Sequence, residues 1–305
     1  MTTLLSLIGE QPIPNLLPIR ALEPDENILV YTRTTEKVAR RLRKLISGHD
    51  DLKDDLCVLP YNFEQALQVM NERLANVPDV LFNLTGGTKM MALAAYALAT
   101  QRQAEFIYFE SEKHKAIMYR YGYKAGGVPH RKARQELPPL ITAADYLNAH
   151  LPGFRETGFS TDDRGNLTSG GLFEKAVYQA LVRRFEDVLA GVKPEGVADQ
   201  IEIDLVIRCD NQVGIAEVKL GGGDSGKRGL DQLKMAGGRE YLGTYTTQFM
   251  IVARKQLSRK IEKLAHERGV NVIYVPEYQD GRPLSRQIAD KLARAIRQKL
   301  CPQSR

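Results

Sequence analysis

The chain has 305 residues, 43% hydrophobic and 26% charged, so it reads as a globular protein with enough length for two ordinary cores. It has no run of 18 apolar residues and no basic, cleavable leader at its start, so neither a membrane helix nor secretion is expected. The net charge of +6 is uneven: 18 basic against 17 acidic residues over 1–150, and 25 against 20 over 151–305. The basic excess therefore lies in the second half, as a polyanionic substrate would favour. Cys57, Cys209 and Cys301 are few, odd in number and far apart, which points to a reducing cytoplasm and no zinc site. Five scattered histidines make no metal or triad pattern.

Strand-like and helix-like segments alternate along residues 1–120. Strands are predicted at 3–8, 27–31, 56–59, 79–84 and 105–110. Helices are predicted at 15–22, 35–47, 62–75 (Asn62 as N-cap) and 89–100. This order argues for an open parallel α/β sheet with Rossmann-like winding, which binds ligands at the carboxyl ends of its strands. Three such ends are polar. Glu10-Gln11-Pro12-Ile13-Pro14-Asn15 follows the first strand and Thr32-Arg33-Thr34-Thr35 the second. Asn83-Leu84-Thr85-Gly86-Gly87-Thr88-Lys89 runs from a buried strand straight into a helix. Paired glycines let backbone approach a ligand, N–H groups at a helix start attract phosphate, and Lys89 adds positive charge. The P-loop pattern Gly-x4-Gly-Lys-[Ser/Thr] is absent, so ATP hydrolysis is not indicated.

Residues 121–140 are rich in Gly, Pro and basic side chains and read as a linker, followed by a short helix at 141–150 with Thr142 as N-cap. Residues 171–186 have helical periodicity, and Glu174 falls on the inward stripe with Val177, Tyr178 and Leu181. A carboxylate facing inward needs a partner.

Residues 201–207 and 213–219 form a predicted β-hairpin. A turn on Asp210-Asn211, residues that tolerate positive φ, makes paired numbers sum to 421. Asp204 then opposes Glu217, with Lys219 on the same face. Two facing carboxylates repel unless a cation lies between them, and Mg²⁺ or Mn²⁺ suits such oxygen donors. Lys219 would hold the attacking water or steady the phosphorane. A helix is expected from Asp231, with Lys227 and Gln232 as weaker substrate contacts. The closing helix at 285–300 carries Lys291, Arg294, Arg297 and Lys299 on its polar side.

Glu174, Asp204, Glu217-Val218-Lys219 and Gln232 resemble the motifs of the PD-(D/E)XK nuclease superfamily over residues 160–275. Ile203 stands where that family has proline. The resemblance implies Asp204, Glu217, Glu174 and the Val218 carbonyl as metal donors, and Lys219 as catalytic base or water-positioner. The three N-terminal strand-end segments resemble the CRISPR-associated Rossmann-fold (CARF) sensor family, and the two-domain order is similar to the CARF nucleases of type III CRISPR systems.

The expected architecture is α/β. A Rossmann-like CARF domain spans 1–122, a linker region 123–154, and a restriction-endonuclease-like PD-(D/E)XK domain 155–305. The resemblance implies ligand contacts from Glu10, Gln11, Pro12, Thr32, Arg33, Thr34, Thr85, Gly86, Gly87, Thr88 and Lys89. It implies a cytoplasmic homodimer activated by cyclic oligoadenylate, most often cyclic tetra-adenylate. Such a dimer would cut single-stranded DNA or RNA, or nick DNA, with Mn²⁺ or Mg²⁺ in antiviral defence. Two other readings stay open: a ligand-responsive nucleic-acid-binding regulator with an inactive nuclease domain, and a ring nuclease that degrades its own activator.

Overall fold

The computed structural model describes residues 1–112, 115–196, 201–221, 224–238 and 241–302. They fall into two compact units, Met1–Ile141 and Thr142–Arg305.

The first unit runs β1 (Thr3–Leu7), α1 (Ile13–Leu22), β2 (Glu26–Tyr31), α2 (Glu36–Ser47), β3 (Leu56–Cys57), α3 (Phe63–Arg73), β4 (Val80–Asn83), α4 (Lys89–Arg102), β5 (Phe106–Glu112), β6 (Lys115–Tyr123) and β7 (Pro129–Glu136). Its sheet order is β3-β2-β1-β4-β5-β6-β7. The first five strands are parallel, and β6 and β7 are antiparallel additions. β1 is buried along its whole length, as a central parallel strand with helices on both faces must be. Leu5, Leu7, Ile28, Val30 and Phe82 meet Met91, Ala94, Ala95 and Leu98 of α4 in the core. Asn62 caps α3 through Gln65 N–H at 2.9 Å, as the sequence predicts.

Two expectations fail in this unit. The segment taken as a linker belongs to the sheet: β6 and β7 pair from Ile117↔Glu136 to Tyr123↔Pro129. The boundary lies between Ile141 and Thr142, and not across 123–154. β7 is an edge strand, exposed from Arg131 to Glu136. It therefore lacks the apolar alternation that marks a strand, and it carries the charges that protect sheet edges from pairing.

The second unit runs α5 (Ala143–His150), β8 (Phe154–Glu156), α6 (Ser169–Leu181), β9 (Asp187–Pro194), β10 (Ile203–Cys209), β11 (Gln212–Lys219), α7 (Asp224–Ala236), β12 (Thr247–Val252), α8 (Arg259–Glu267), β13 (Asn271–Tyr274) and α9 (Arg286–Leu300). The sheet order is β13-β12-β11-β10-β9-β8. Thr142 caps α5 as expected. Phe173, Val177 and Leu181 of α6 and Leu292, Ile296 and Leu300 of α9 pack on Leu205, Ile207, Ala216 and Val218. The helix expected from Asp231 begins at Asp224. Gly226 and Gly229 weaken the local helical signal, and packing on the sheet overrides it.

Cys209 and Cys301 form a disulfide with a Cα–Cα distance of 6.1 Å, while Cys57 is free and exposed. Their separation of 92 residues hides this pairing from the sequence. The cysteine count is therefore no guide to compartment. Arg297, expected on a polar face, instead lies over the Phe185 ring at 4.7 Å. No described helix is long and apolar enough to cross a membrane.

The buried Asp55 carboxylate accepts from Leu29 N–H at 2.8 Å and from Arg43 Nε at 3.0 Å. Arg43→Ala would strand that charge, so thermal unfolding followed by circular dichroism should show a loss of about 3 kcal/mol.

Candidate functional site

The β10–β11 ladder fixes the second unit's site. Leu205 pairs with Ala216 and Cys209 with Gln212, the register expected for a turn on Asp210-Asn211. Asp210 takes φ 54°. Alternation then turns Leu205, Ile207, Ala216 and Val218 to the α6–α9 core, and Asp204, Glu217 and Lys219 to the opposite face. α7 covers that face. A Cβ on Gly229 would lie 3.5 Å from Lys219 Cε and 3.7 Å from Glu217 Cβ, ordinary contact distances that put the helix backbone directly over the site. The sequence pattern points to the neighbours of Gly229 and not to the glycine itself. Of those, Lys227 is exposed and Gln232 half-buried.

Asp204 Oδ2 accepts from Val218 N–H at 2.7 Å and from Lys219 Nζ at 3.0 Å. Lys219 Nζ also lies 2.6 Å from Glu217 Oε2. Glu217 is 1% exposed and Glu174 5%. Burial, then the Asp204 charge, pushes the Glu217 carboxyl up to about 8. Burial also raises Asp204, against the pull of Lys219. Glu174 is raised by burial and by Asp204. Burial works to lower Lys219, but Asp204 and Glu217 outweigh it and hold the ammonium protonated. Three buried carboxylates feel one another's charge beside a single lysine. This is a hard-oxygen donor set of the kind Mg²⁺ or Mn²⁺ takes. The residues therefore fit a divalent metal.

Glu174 enters from the second turn of α6, and Thr168 caps that helix by accepting from Gly171 N–H at 3.0 Å. Ser160, absent from the sequence reading, donates to Glu174 through its N–H (to Oε2) and its hydroxyl (to Oε1), each at 2.8 Å. It lies in an irregular loop with no periodic signal.

The first unit's candidate site lies where the strand order reverses, between β1 and β4. Such a switch point opens a crevice at the strand ends. The three predicted loops follow β1, β2 and β4, which are neighbours in the sheet. Gly86 is required there: a Cβ would lie 2.1 Å from Leu7 O. Lys89 is the exposed first residue of α4, the end of a helix where a cation is least favoured by the dipole. Arg33, Thr34 and Glu10 are also exposed.

Several predicted hydroxyls have internal work. Thr85 Oγ1 donates to Asn83 Oδ1 at 2.6 Å and accepts from Phe109 N–H at 2.8 Å. Thr88 Oγ1 donates to Pro60 O at 2.5 Å and caps α4 by accepting from Met91 N–H. Thr32 Oγ1 pairs with Thr34 Oγ1 at 2.8 Å. Asn15 and Asn83, both fully buried, are joined by Asn83 Nδ2 donating to Asn15 Oδ1 at 3.2 Å. Both lie within the strand-end motifs, where the sequence gives no sign that they meet. Asn15 Nδ2 and both polar atoms of the Gln11 amide are buried without a hydrogen-bond partner in the protein. Such atoms cost about 1–3 kcal/mol each when left unmet. They suit a polar ligand that pairs with them.

Residues 3–146 match the family model for the Card1 CARF domain. No curated protein matches the chain. Can2 from Sulfobacillus thermosulfidooxidans, solved in complex with cyclic tetra-adenylate, is 18% identical with a TM-score of 0.71, over 96% of this chain and 99% of that one. VC1899 from Vibrio cholerae is 14% identical with a TM-score of 0.70, over 96% and 97%. A type III CRISPR defence DNA nuclease activated by cyclic oligoadenylate is 17% identical with a TM-score of 0.59, over 98% of this chain and 52% of that one. Residues 3–146 thus carry the likeness to a CARF-domain model, and the two-unit fold of nearly the whole chain is shared with these solved structures.

Because Glu217 is raised from 4.5 to about 8, it favours the folded state below the lower value, and that contribution is lost as pH rises through the upper one. Thermal melts of the chelator-treated protein should therefore fall in stability across this window. Glu217→Gln should show a shallower fall.

Proposed function

We propose that this chain, a CARF domain joined to a nuclease-like domain, is a cyclic oligoadenylate-gated, divalent-metal-dependent endonuclease of type III CRISPR defence. Cyclic tetra-adenylate is the activator, and single-stranded nucleic acid or DNA the substrate. The observation that carries the reading is the convergence of Asp204, Glu217 and Glu174 around Lys219. An inactive domain kept only for binding has no need of three buried carboxylates.

In this reading Asp204 and Glu217 hold the metal, with Glu174 and the Val218 carbonyl supporting. Mn²⁺ or Mg²⁺, when bound, lowers the pKa of a water and neutralises phosphate charge. Lys219 lies against both Asp204 and Glu217, where its ammonium suits it to orient a phosphate oxygen or the attacking water and to steady the phosphorane. Val218 N–H keeps one Asp204 oxygen turned inward. The water oxygen bonds to phosphorus, the ester P–O bond breaks, and the leaving oxygen takes up a proton.

In the CARF domain, the Asn15 and Gln11 amides and Thr34 meet adenine or ribose edges. Lys89, Arg33 and the N–H groups at Gly86-Gly87 meet phosphates. A symmetric ring on a two-fold axis would be read by the same loops of two copies, so the protein acts as a homodimer. Activation requires that the ring bind the active state more tightly than the resting one.

The test is cleavage of single-stranded DNA, single-stranded RNA and plasmid, with and without each cyclic oligoadenylate and Mn²⁺. Glu217→Ala should abolish cleavage and leave activator binding intact. Lys89→Ala should raise the activator concentration for half-maximal cleavage about 10-fold or more, the loss of one charge-assisted phosphate contact. Metal-dependent cleavage by Glu217→Ala would overturn the assignment.

A further inference from the structure

We infer that Ser160 is a positioning residue of the nuclease site, acting through Glu174 on the divalent metal; this rests on the metal-dependent reading above. Ser160 is exposed, yet it makes two hydrogen bonds to a carboxylate that is 5% exposed. Both Glu174 oxygens are engaged from one side, so the carboxylate plane cannot rotate freely. Its remaining lone pairs are directed by the clamp, and Glu174 is close enough to Asp204 and Lys219 to feel both charges. Residues that orient a metal-binding carboxylate in this way tune the affinity of the ligands they hold.

The surrounding loop is built to deliver this one residue. Ser160 O accepts from Thr168 N–H at 3.0 Å and from its hydroxyl at 3.2 Å, which pins Ser160 to the start of α6. A Cβ on Gly171 would lie 2.0 Å from Ser160 O, so only glycine lets the loop lie there. Beyond Ser160 the chain closes on itself. Thr161 bridges Leu167, and Asp162 Oδ1 accepts from Arg164 and Asn166 N–H groups at 2.9 Å. Before it, Thr157 N–H and hydroxyl both donate to Gly191 O, at 2.7 and 2.8 Å, tying the strap to β9. Phe159 packs edge-on against Tyr178 of α6, centroids 5.5 Å apart. Anchored at both ends, the strap holds Ser160 in place without help from a ligand.

The experiment is calorimetric titration of the full chain with Mn²⁺, with no substrate present. Wild type is compared with Ser160→Ala, Ser160→Thr, Glu174→Gln and the Ser160→Ala/Glu174→Gln double variant. Ser160→Ala should weaken Mn²⁺ affinity about 10-fold, as loss of an outer-shell partner does. Ser160→Thr, which keeps the hydroxyl at an exposed position, should stay near wild type. In the Glu174→Gln background the Ser160→Ala change should have no further effect, since its route to the metal is already cut. Wild-type affinity in Ser160→Ala, or the same loss with and without Glu174, overturns the inference while the metal-dependent reading stands. A wild type that binds no Mn²⁺ overturns both.

Discussion

The second unit's site depends on the Lys219 ammonium held between two buried carboxylates. Asp204 and Glu217 are forced to one face of the sheet by the hairpin register, and burial raises the cost of charging each. Without a cation the pair would be a local fault in the core. Lys219 supplies one positive charge against three acidic groups, so the cluster stays short of neutrality at any pH where all three are ionised. A divalent cation would complete the balance. The same imbalance that costs stability is what would draw a divalent metal and the phosphate it brings.

The rest of the unit arranges itself around that constraint. The opposite faces of β10 and β11 carry Leu205, Ile207, Ala216 and Val218 into the α6–α9 core, so the hairpin cannot slip by one residue without burying the charges there. α7 closes over the carboxylate face at Gly229, where a Cβ would crowd the Met250 methyl at 3.0 Å. α6 brings Glu174 from its second turn, and the Ser160 strap holds it.

The first unit follows a related logic without a charge cluster. Its strand-end loops are tied internally: Thr85, Thr88 and Thr32 spend their hydroxyls on neighbouring backbone and side chains. What remains open is the Gln11 amide and Asn15 Nδ2, while Arg33 and Lys89 of the same strand-end segments are exposed. Internally bonded loops with unmet amides and exposed cations would suit a polyanionic ligand with hydrogen-bonding bases. Both units thus place unmet polar demand at one end of a sheet whose middle is fully packed.

Local rules made much of this legible in the sequence. The Asp210-Asn211 turn set the register that opposes Asp204 and Glu217, because a two-residue hairpin fixes its own pairing. The stripe of Glu174, Val177 and Leu181 showed a carboxylate pointing inward, because helical period and burial are coupled. The Gly86-Gly87 turn marked a tight strand end, because only glycine permits so close an approach to the Leu7 carbonyl. Other features needed the folded chain. β7 is an edge strand with exposed charges, so it carries no apolar alternation. α7 begins early because the sheet favours Gly226 and Gly229 over helix propensity. Ser160, Asn15 and the Cys209–Cys301 pair gain their roles from neighbours 14, 68 and 92 residues away. Periodicity and turn chemistry report a residue's own backbone; partners across the chain are decided by packing, and only the tertiary structure holds that information.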